Sequence, residues 1–435
     1  MNKYKRYERY KDSGIGWIGE IPEEWNIKKL KWLCSISTGN KDTINKVDDG
    51  EYPFFVRSPI VERISTYSYD GEAVLTAGDG VGVGKVFHYI NGKFDYHQRV
   101  YKFSDFKNVS GKYFYYYIKE NFIKETEVNN AKSTVDSIRL PMIKQFPVTI
   151  PSKEEQTKVV DFLDKKTTET DGLIADKEKL IELLQEKRQA IISEAVTKGI
   201  NPNARMKDSG IEWIGEIPEH WEVSKIKFTT YVKGRIGWQG LRADEFIDEG
   251  PYLVTGTDFV DGLVNWDSCY HISMERYNEA PPIQLRENDL LITKDGTIGK
   301  VAIVKNKPKY AILNSGIFVT RPKNSAYLTE FMYWILNSQV FNKFIQYMSL
   351  GSTIVHLYQQ TFENFSFPIT NLNEQKTIAH FLDRKVAEID GLISDIKLQI
   401  QKLKEYRQSL ISEAVTGKID VREFQKKNEV IFRNE

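Results

Sequence analysis

Cysteine is nearly absent from this 435-residue chain: only Cys34 and Cys269 occur, far apart and at no metal-binding spacing. That excludes a disulfide framework and a zinc ribbon, and leaves two free thiols, expected to be buried. Histidine is scarce too. His88, His97, His220, His271, His356 and His380 form no HExxH or other paired ligand set, so no metal site is expected. No apolar run reaches the length of a membrane span, and the basic N-terminal stretch MNKYKRYERYKDSG lacks the apolar segment of a secretion signal. The chain is therefore read as soluble and cytoplasmic, with no membrane partner. Excess charge is missing as well. The 61 Lys and Arg stand against 60 Asp and Glu, a net +1 that neither supports nor excludes a nucleic-acid partner, because an acidic face can cancel a basic groove. What remains is 40% hydrophobic and 12% aromatic content, enough for about two to four folded domains.

The chain does have a long internal repeat. KDSGIGWIGEIPEEW (11–25) returns as KDSGIEWIGEIPEHW (207–221), a shift of 196 residues that leaves only Gly16/Glu212 and Glu24/His220 different. A second pair of blocks follows each copy: EEQTKVVDFLDKKTTETDGLI from Glu154 returns as NEQKTIAHFLDRKVAEIDGLI from Asn373, and EKRQAIISEAVTKGI from Glu186 as EYRQSLISEAVTGKI from Glu405. The stretches between, about residues 26–150 and 222–370, share little. A duplicated frame holding two different inserts suits two independently variable recognition surfaces, and it excludes the short-period repeats of solenoids and propellers.

The blocks after each insert read as long helices. Ser152 with Glu155, and Asn371 with Glu374, have the spacing of capping boxes, and glycine-containing stops fall near Gly199 and Gly417. Ile389, Ile393, Ile396, Ile400, Leu403, Arg407 and Leu410 alternate spacings of four and three, the pattern of a coiled-coil seam. The first copy carries Ile174, Ile181, Leu184 and Ile191 in the same register, with Lys177 and Arg188 at seam positions. The two seams are expected to pair. Gly172 and Gly391 cost a helix about 1 kcal/mol relative to alanine and are expected to mark a kink. The inserts have another grammar: short β-branched runs such as EAVLTAG, KVFHYI, NDLLITK and AILNSGIFVT, broken by Gly, Asn, Asp and Pro, read as strands and turns. GKYFYYYIKENF and TEFMYWILNSQVFNKFI each read as one helix. The fold class is α+β: two mixed α/β domains joined by two long helices in an antiparallel coiled coil, with an internal pseudo-two-fold repeat. The expected segments are domain 1 (1–151), helical spacer 1 (152–200), domain 2 (201–370), helical spacer 2 (371–420) and a poorly ordered charged tail (421–435).

Catalytic motifs fail on inspection. GDGVGVGK around Gly84 and Lys85 lacks the first glycine and the Ser/Thr of a phosphate loop. NPNA from Asn201 lacks the second proline and the base-stacking ring of an adenine methyltransferase loop. No catalytic residue is expected.

The WIGEIPxxW opening, DGTIGKVAI from Asp295, the EQxxIAxFLD helix start and the ISEAVTGKI helix end together resemble the specificity (S) subunit family of Type I restriction-modification enzymes, over nearly the whole chain and in the family's order of blocks. The resemblance implies a DNA-binding, non-catalytic subunit whose two target-recognition domains each read one half of a split double-stranded DNA sequence. It implies helices that space the domains and dock methyltransferase (M) subunits, two in number, with a restriction/translocase (R) subunit completing the complex. S-adenosylmethionine, ATP and magnesium would be bound by those partners and no cofactor by this chain. For helix pairing and docking it points to Ile174, Ile181, Leu184, Ile191, Ile393, Ile396, Ile400, Leu403 and Leu410.

Contacts to DNA are sought by aligning the halves through Gly84-Lys85-Val86 and Gly299-Lys300-Val301. This sets the turn from Thr76, containing Gly80, opposite Lys294, Gly296 and Thr297. It sets His97, Gln98 and Arg99 opposite Asn314 and Ser315. Amides suit adenine and arginine suits guanine by bidentate geometry. Lys132-Ser133-Thr134 and Ser352-Thr353 recur 219 residues apart, and His356 follows. Arg57, Arg63, Arg235, Trp238 and Arg242 are secondary candidates. For each, a turn capped by its own side chain is the competing reading. Trp17, Trp25, Trp213 and Trp221 are read instead as anchors packed on the shared scaffold. Two other assignments compete for the whole chain: the specificity subunit of a related system with a fused nuclease-methyltransferase partner, and a coiled-coil scaffold presenting two peptide-binding domains.

Overall fold

The computed structural model describes residues 4–80, 82–129, 139–235, 241–348 and 356–424. Lys132, Ser133, Thr134, Trp238, Ser352, Thr353 and the tail beyond Phe424 lie outside them. The chain forms two units: residues 1–178 with 397–435, and residues 179–396. Each unit combines one insert with a part of both long helices, Lys153–Lys198 and Leu372–Val415.

The repeated frame folds identically twice. Tyr10–Asp12 pairs with Glu20–Pro22 in the register Tyr10↔Pro22, and Met206–Asp208 pairs with Glu216–Pro218 in the register Met206↔Pro218. The next strand, Asn26–Lys29, pairs antiparallel with the strand leaving the insert, Pro147–Ile150, and Glu222–Lys225 does the same with Ser366–Ile369. Each insert begins and ends side by side, so its interior can vary without disturbing the frame.

Inside the first unit a six-stranded sheet runs in the order Ser35–Thr38, Val100–Ser104, Tyr69–Ala77, Phe87–Tyr96, Tyr52–Phe55, Glu62–Ile64. The second unit has the matching order Thr230–Gly234, Ile317–Pro322, Leu290–Thr293, Val301–Ile303, Leu263–Val264, Phe259–Val260, and adds a three-stranded sheet around Ile247–Val254. GKYFYYYIKENF lies in the helix Gly111–Asn129. TEFMYWILNSQVFNKFI is two helices, Thr329–Leu336 and Gln339–Met348. The Ser338 hydroxyl donates to the Ile335 carbonyl and accepts from the Val340 N–H, so a side chain takes over backbone partners and breaks the helix there.

Each core closes on the end of a long helix. Leu410, Ile411, Ala414 and Val415 pack into the first unit's core with Tyr113, Phe146 and Val159. In the second unit Ile192, Ala195 and Val196 take the corresponding places. The Val415 carbonyl accepts from Thr149 Oγ1 at 2.6 Å and from the Tyr113 hydroxyl at 3.0 Å, which satisfies an otherwise orphaned helix-end acceptor. Gly417 ends this helix with φ +72°, and a Cβ there would sit 2.3 Å from Pro22, so glycine is required on both counts.

The helix starts differ from full capping boxes. Ser152 Oγ accepts from the Glu155 N–H at 3.2 Å and Asn371 Oδ1 from the Glu374 N–H at 3.0 Å. The two glutamates do not reach back. Glu155 accepts from the Tyr7 hydroxyl at 2.6 Å and from Trp25 Nε1 at 3.0 Å, while Glu374 accepts from His220 Nε2 at 2.9 Å and from Thr370. Burial pushes the Glu374 carboxyl up, but the hydrogen bonds from Thr370 and His220 help to outweigh this and hold it below the usual range. Trp25 and Trp221 are fully buried, Trp17 stacks on Phe146, and Trp213 lies against Phe344.

Along the middle of the long helices, residues 171–188 and 387–409, the seam positions are the least exposed. Ile174, Ile393, Ile396, Ile400 and Leu410 are buried, and Ile181, Leu184, Ile191 and Leu403 are half-buried. Polar seam residues find partners on the facing helix. In the first unit Arg407 Nε lies 3.0 Å from Asp171, Lys404 Nζ 3.7 Å from Glu178, and Lys177 donates to Gln399 at 2.6 Å, a run that is antiparallel. In the second unit Arg188 Nε lies 2.9 Å from Asp390. Both helices continue unbroken through Gly172 and Gly391. The residues Val421 to Phe424, assigned from sequence to a poorly ordered tail, are placed instead: Val421 is buried and Phe424 packs edge-on against Phe162.

Candidate nucleic-acid interface

The turn joining Tyr69–Ala77 to Phe87–Tyr96 meets the turn between Phe87–Tyr96 and Val100–Ser104. The Gly78 N–H donates to the Arg99 carbonyl at 2.8 Å, and one carboxylate holds two guanidiniums: Arg57 lies 2.9 Å and Arg99 2.8 Å from the two oxygens of Asp79. Burial raises the Asp79 carboxyl, and hydrogen bonds from Arg57 and Arg99 more than reverse this, leaving it below its ordinary value. Gln98 donates to Asp42 at 2.8 Å. Gly80 sits at φ +75° in the turn. Beside it an open groove of about 680 Å³ is lined by Val56, Arg57, Pro59, Asp79, Lys85 and Val86 among others.

The second unit builds the same place from different residues. Lys294 lies half-buried with its ammonium 5.2 Å from the Phe318 ring centroid. Its backbone bridges two other loops: the Lys294 N–H donates to the Gly316 carbonyl at 2.8 Å, and the Leu357 N–H to the Lys294 carbonyl at 2.8 Å. Asn314, Ser315 and His356 therefore surround the turn holding Gly296 and Thr297, which are exposed. His356 Nδ1 bonds Asp295, and its ring lies 4.7 Å from Tyr358. The alignment through Gly-Lys-Val thus equates turns that occupy the same place in the two sheets.

Not every candidate faces outward. Thr76 is buried and donates its hydroxyl to the Val86 carbonyl at 2.9 Å, closing the turn from within. His97 is buried too, and Nδ1 accepts the Arg99 N–H at 3.0 Å, so the imidazole shapes the turn that offers Gln98 and Arg99. Burial lowers its pKa below 6.5. Arg63 donates to the Gly50 and Glu51 carbonyls, and buried Arg235 donates to the Leu313 carbonyl at 3.0 Å. Both support loops. Arg242 is exposed away from these contacts, beside Glu245. The structure adds Asp42, Asp79 and Asp295, which sequence reasoning passed over. The available signal was an Asp-Gly pair in each turn, Asp79-Gly80 and Asp295-Gly296.

The two thiols are free, Cys269 buried and Cys34 half-buried, and burial pushes each up to about 12. Among the described residues no group of three or more His, Cys, Asp or Glu side chains is placed to hold a metal ion, and no helix is long and apolar enough to cross a membrane.

Comparison with known proteins gives one answer. The family model for the Type I restriction modification DNA specificity domain matches twice, over residues 22–183 and 218–402. The chain is 23% identical to the Type I restriction enzyme MjaVIII specificity subunit of Methanocaldococcus jannaschii, covering 92% of this chain and 94% of that one. It is 22% identical to the EcoDI specificity subunit of Escherichia coli, covering 92% and 90%. Its fold matches a chain from a structure of a type I R-M system with TM-score 0.70 at 13% identity, covering 91% and 98%. It also matches the HsdS subunit from Thermoanaerobacter tengcongensis with TM-score 0.51 at 14% identity, covering 92% and 98%. With the family match spanning both halves of the repeat, the chain belongs to the Type I restriction-modification DNA specificity family, as a non-catalytic specificity subunit.

Proposed function

We propose that each unit reads one half of a bipartite double-stranded DNA target. The polar loops gathered around Asp79 in the first unit, and around Lys294 in the second, are the reading surfaces. The observation that carries this is their equivalence: two inserts with almost no common sequence bring different side chains to the same end of matching six-stranded sheets. Arg99 offers a guanidinium to a guanine edge, Asn314 an amide to an adenine, and Lys294 a cation to phosphate. The long helices set the spacing between half-sites and, with exposed Leu173, Leu180, Leu183, Leu392 and Leu398, dock two methyltransferase subunits. Those partners and a restriction/translocase subunit would bind S-adenosylmethionine, ATP and magnesium. Exchanging residues 26–150 for the corresponding insert of another specificity subunit tests the reading. One half of the methylated motif should change and the other stay. A swap that altered both halves, or neither, would overturn it.

A further inference from the structure

The start of each insert presents one more feature in both units. After the strands Asn26–Lys29 and Glu222–Lys225 the chain makes a single helical turn, Leu30–Trp32 in one unit and Ile226–Thr229 in the other. The same bond hangs each turn on the residue just before the strand that leaves the insert: the Leu30 N–H donates to the Phe146 carbonyl at 2.9 Å, the Ile226 N–H to the Phe365 carbonyl at 3.1 Å. Leu30 and Ile226 are fully buried. Two positions further on, about 240° around the 3₁₀ turn of the first unit and about 200° around the α turn of the second, the residue points away from the core. There stand Trp32, 66% exposed, and Phe228, 68% exposed. A lysine accompanies each ring, Lys31 Nζ 5.1 Å from the Trp32 centroid and Lys227 Nζ 5.0 Å from that of Phe228.

Exposing so large an apolar ring once needs no explanation; exposing one at the equivalent position of both inserts does. The rings also stand away from the DNA-reading loops. In the first unit the ladder runs from Thr38↔Tyr101, near Arg99, to Ser35↔Ser104, near Trp32. In the second it runs from Gly234↔Phe318, near Asn314 to Gly316, to Thr230↔Pro322, near Phe228. Each ladder puts at least about 10 Å between ring and loops. A target that varies is met by unlike loops, whereas an exposed ring kept at the equivalent position at the start of both inserts suits a partner that is the same on both sides. Its charge is fixed too: Lys28, Lys29 and Lys31 are exposed around Trp32, and Lys323 donates to the Lys227 carbonyl at 3.0 Å beside Phe228.

We propose that Trp32 and Phe228 are paired docking anchors for two copies of the methyltransferase subunit, each ring entering an apolar pocket with an acidic rim. This rests on the docking reading above and locates part of that interface off the long helices. Buried aromatic anchors carry a large share of binding energy at such surfaces. Titrating the full chain with the purified methyltransferase subunit, with native mass spectrometry for stoichiometry, tests it. Trp32→Ala should weaken one of two sites about tenfold or more, Phe228→Ala the other, and the double variant both. Trp32→Phe should retain binding, and the chain's own affinity for duplex DNA should not move. Lys31→Glu with Lys227→Glu, which leaves both rings in place, should weaken binding in the same way and decides the matter if an alanine variant unfolds. Wild-type affinity in the double alanine variant would overturn the anchors alone. No binding by the wild-type chain would overturn the docking reading with them. Loss of DNA affinity with partner binding intact would make the rings a nucleic-acid surface, and a change in the free chain's mass would make them a self-association surface; either result overturns the proposal.

Discussion

Trp25 donates its indole N–H to the Glu155 carboxylate at 3.0 Å across a sequence separation of 130 residues. The bond joins the repeated opening segment to the first turn of a long helix, and Tyr7 supplies the other carboxylate oxygen with a donor at 2.6 Å. Trp25→Ala should cost about 3–5 kcal/mol, because it leaves a cavity and a buried carboxylate short of one donor. Denaturant unfolding of the first unit measures this, and an unchanged midpoint would remove Trp25 from the frame.

Charge at the helix seam should act without regard to sequence. Ile400→Glu in the first unit, or Ile393→Glu in the second, buries a carboxylate among apolar contacts. Methylation should then fall equally at every target, with the motif unchanged in whatever activity survives. Methylation-motif sequencing decides it, since a new motif would mean that the helices read bases.

Arg99 and Lys294 should fail differently. Arg99→Ala should cost about 1–3 kcal/mol and relax one base position, whereas Lys294→Ala should weaken binding to all sequences and reduce the salt slope by about one charge. Binding isotherms across a salt series, on target and mismatched duplexes, separate the two. Unchanged affinity, preference and slope in both variants would displace the reading surface from these loops.

Asp79 restrains two cations that would otherwise reach any phosphate. Asp79→Asn should therefore raise affinity for non-target DNA, steepen its salt dependence, and narrow the gap between target and non-target sequences. A fall in non-target affinity would show that the clamp aids DNA binding directly. Because this carboxyl ionises below its ordinary 3.8, its contribution is complete above that pH and fades as pH drops through the depressed native value. The clamp should thus be intact at neutral pH.

His97 should respond to mild acid. Its native pKa lies below 6.5 because burial disfavours the cation, so below 6.5 the unfolded chain takes up a proton that the native turn refuses. Stability of the turn should fall from about that pH until the depressed native value is reached, then level off. Imidazole titration by NMR checks the direction, and a midpoint above 6.5 would contradict the buried, neutral ring that accepts the Arg99 N–H.

The frame was legible because it was written twice: Tyr10↔Pro22 and Met206↔Pro218 are one pairing at two addresses, and the seam isoleucines declare their period. The proposed reading loops were half legible. Gly-Lys-Val located equivalent turns, but the bonds from Lys294 to Gly316 and from Leu357 to Lys294 involve backbone atoms, which carry no residue signature. Burial at a strand end was hidden for the same reason, which is why Thr76 and His97 read as contacts when they hold turns closed. Glu155 and Glu374 fitted a local capping rule and were taken by distant partners instead. At Ser338 helical periodicity continued on both sides of a hydroxyl that ends one helix and starts another.

The closing of the first core on Leu410, Ile411, Ala414 and Val415 sets an order of events during synthesis. Residues 179–396 are one uninterrupted stretch and can finish folding while the ribosome is still at work, whereas residues 1–178, made first, must wait for the last helix turns to arrive. The oldest part of the nascent chain is the last to mature and the longest exposed to chaperones and proteases. A stop codon just before Leu410 would strike the first recognition region and leave the core of the second whole.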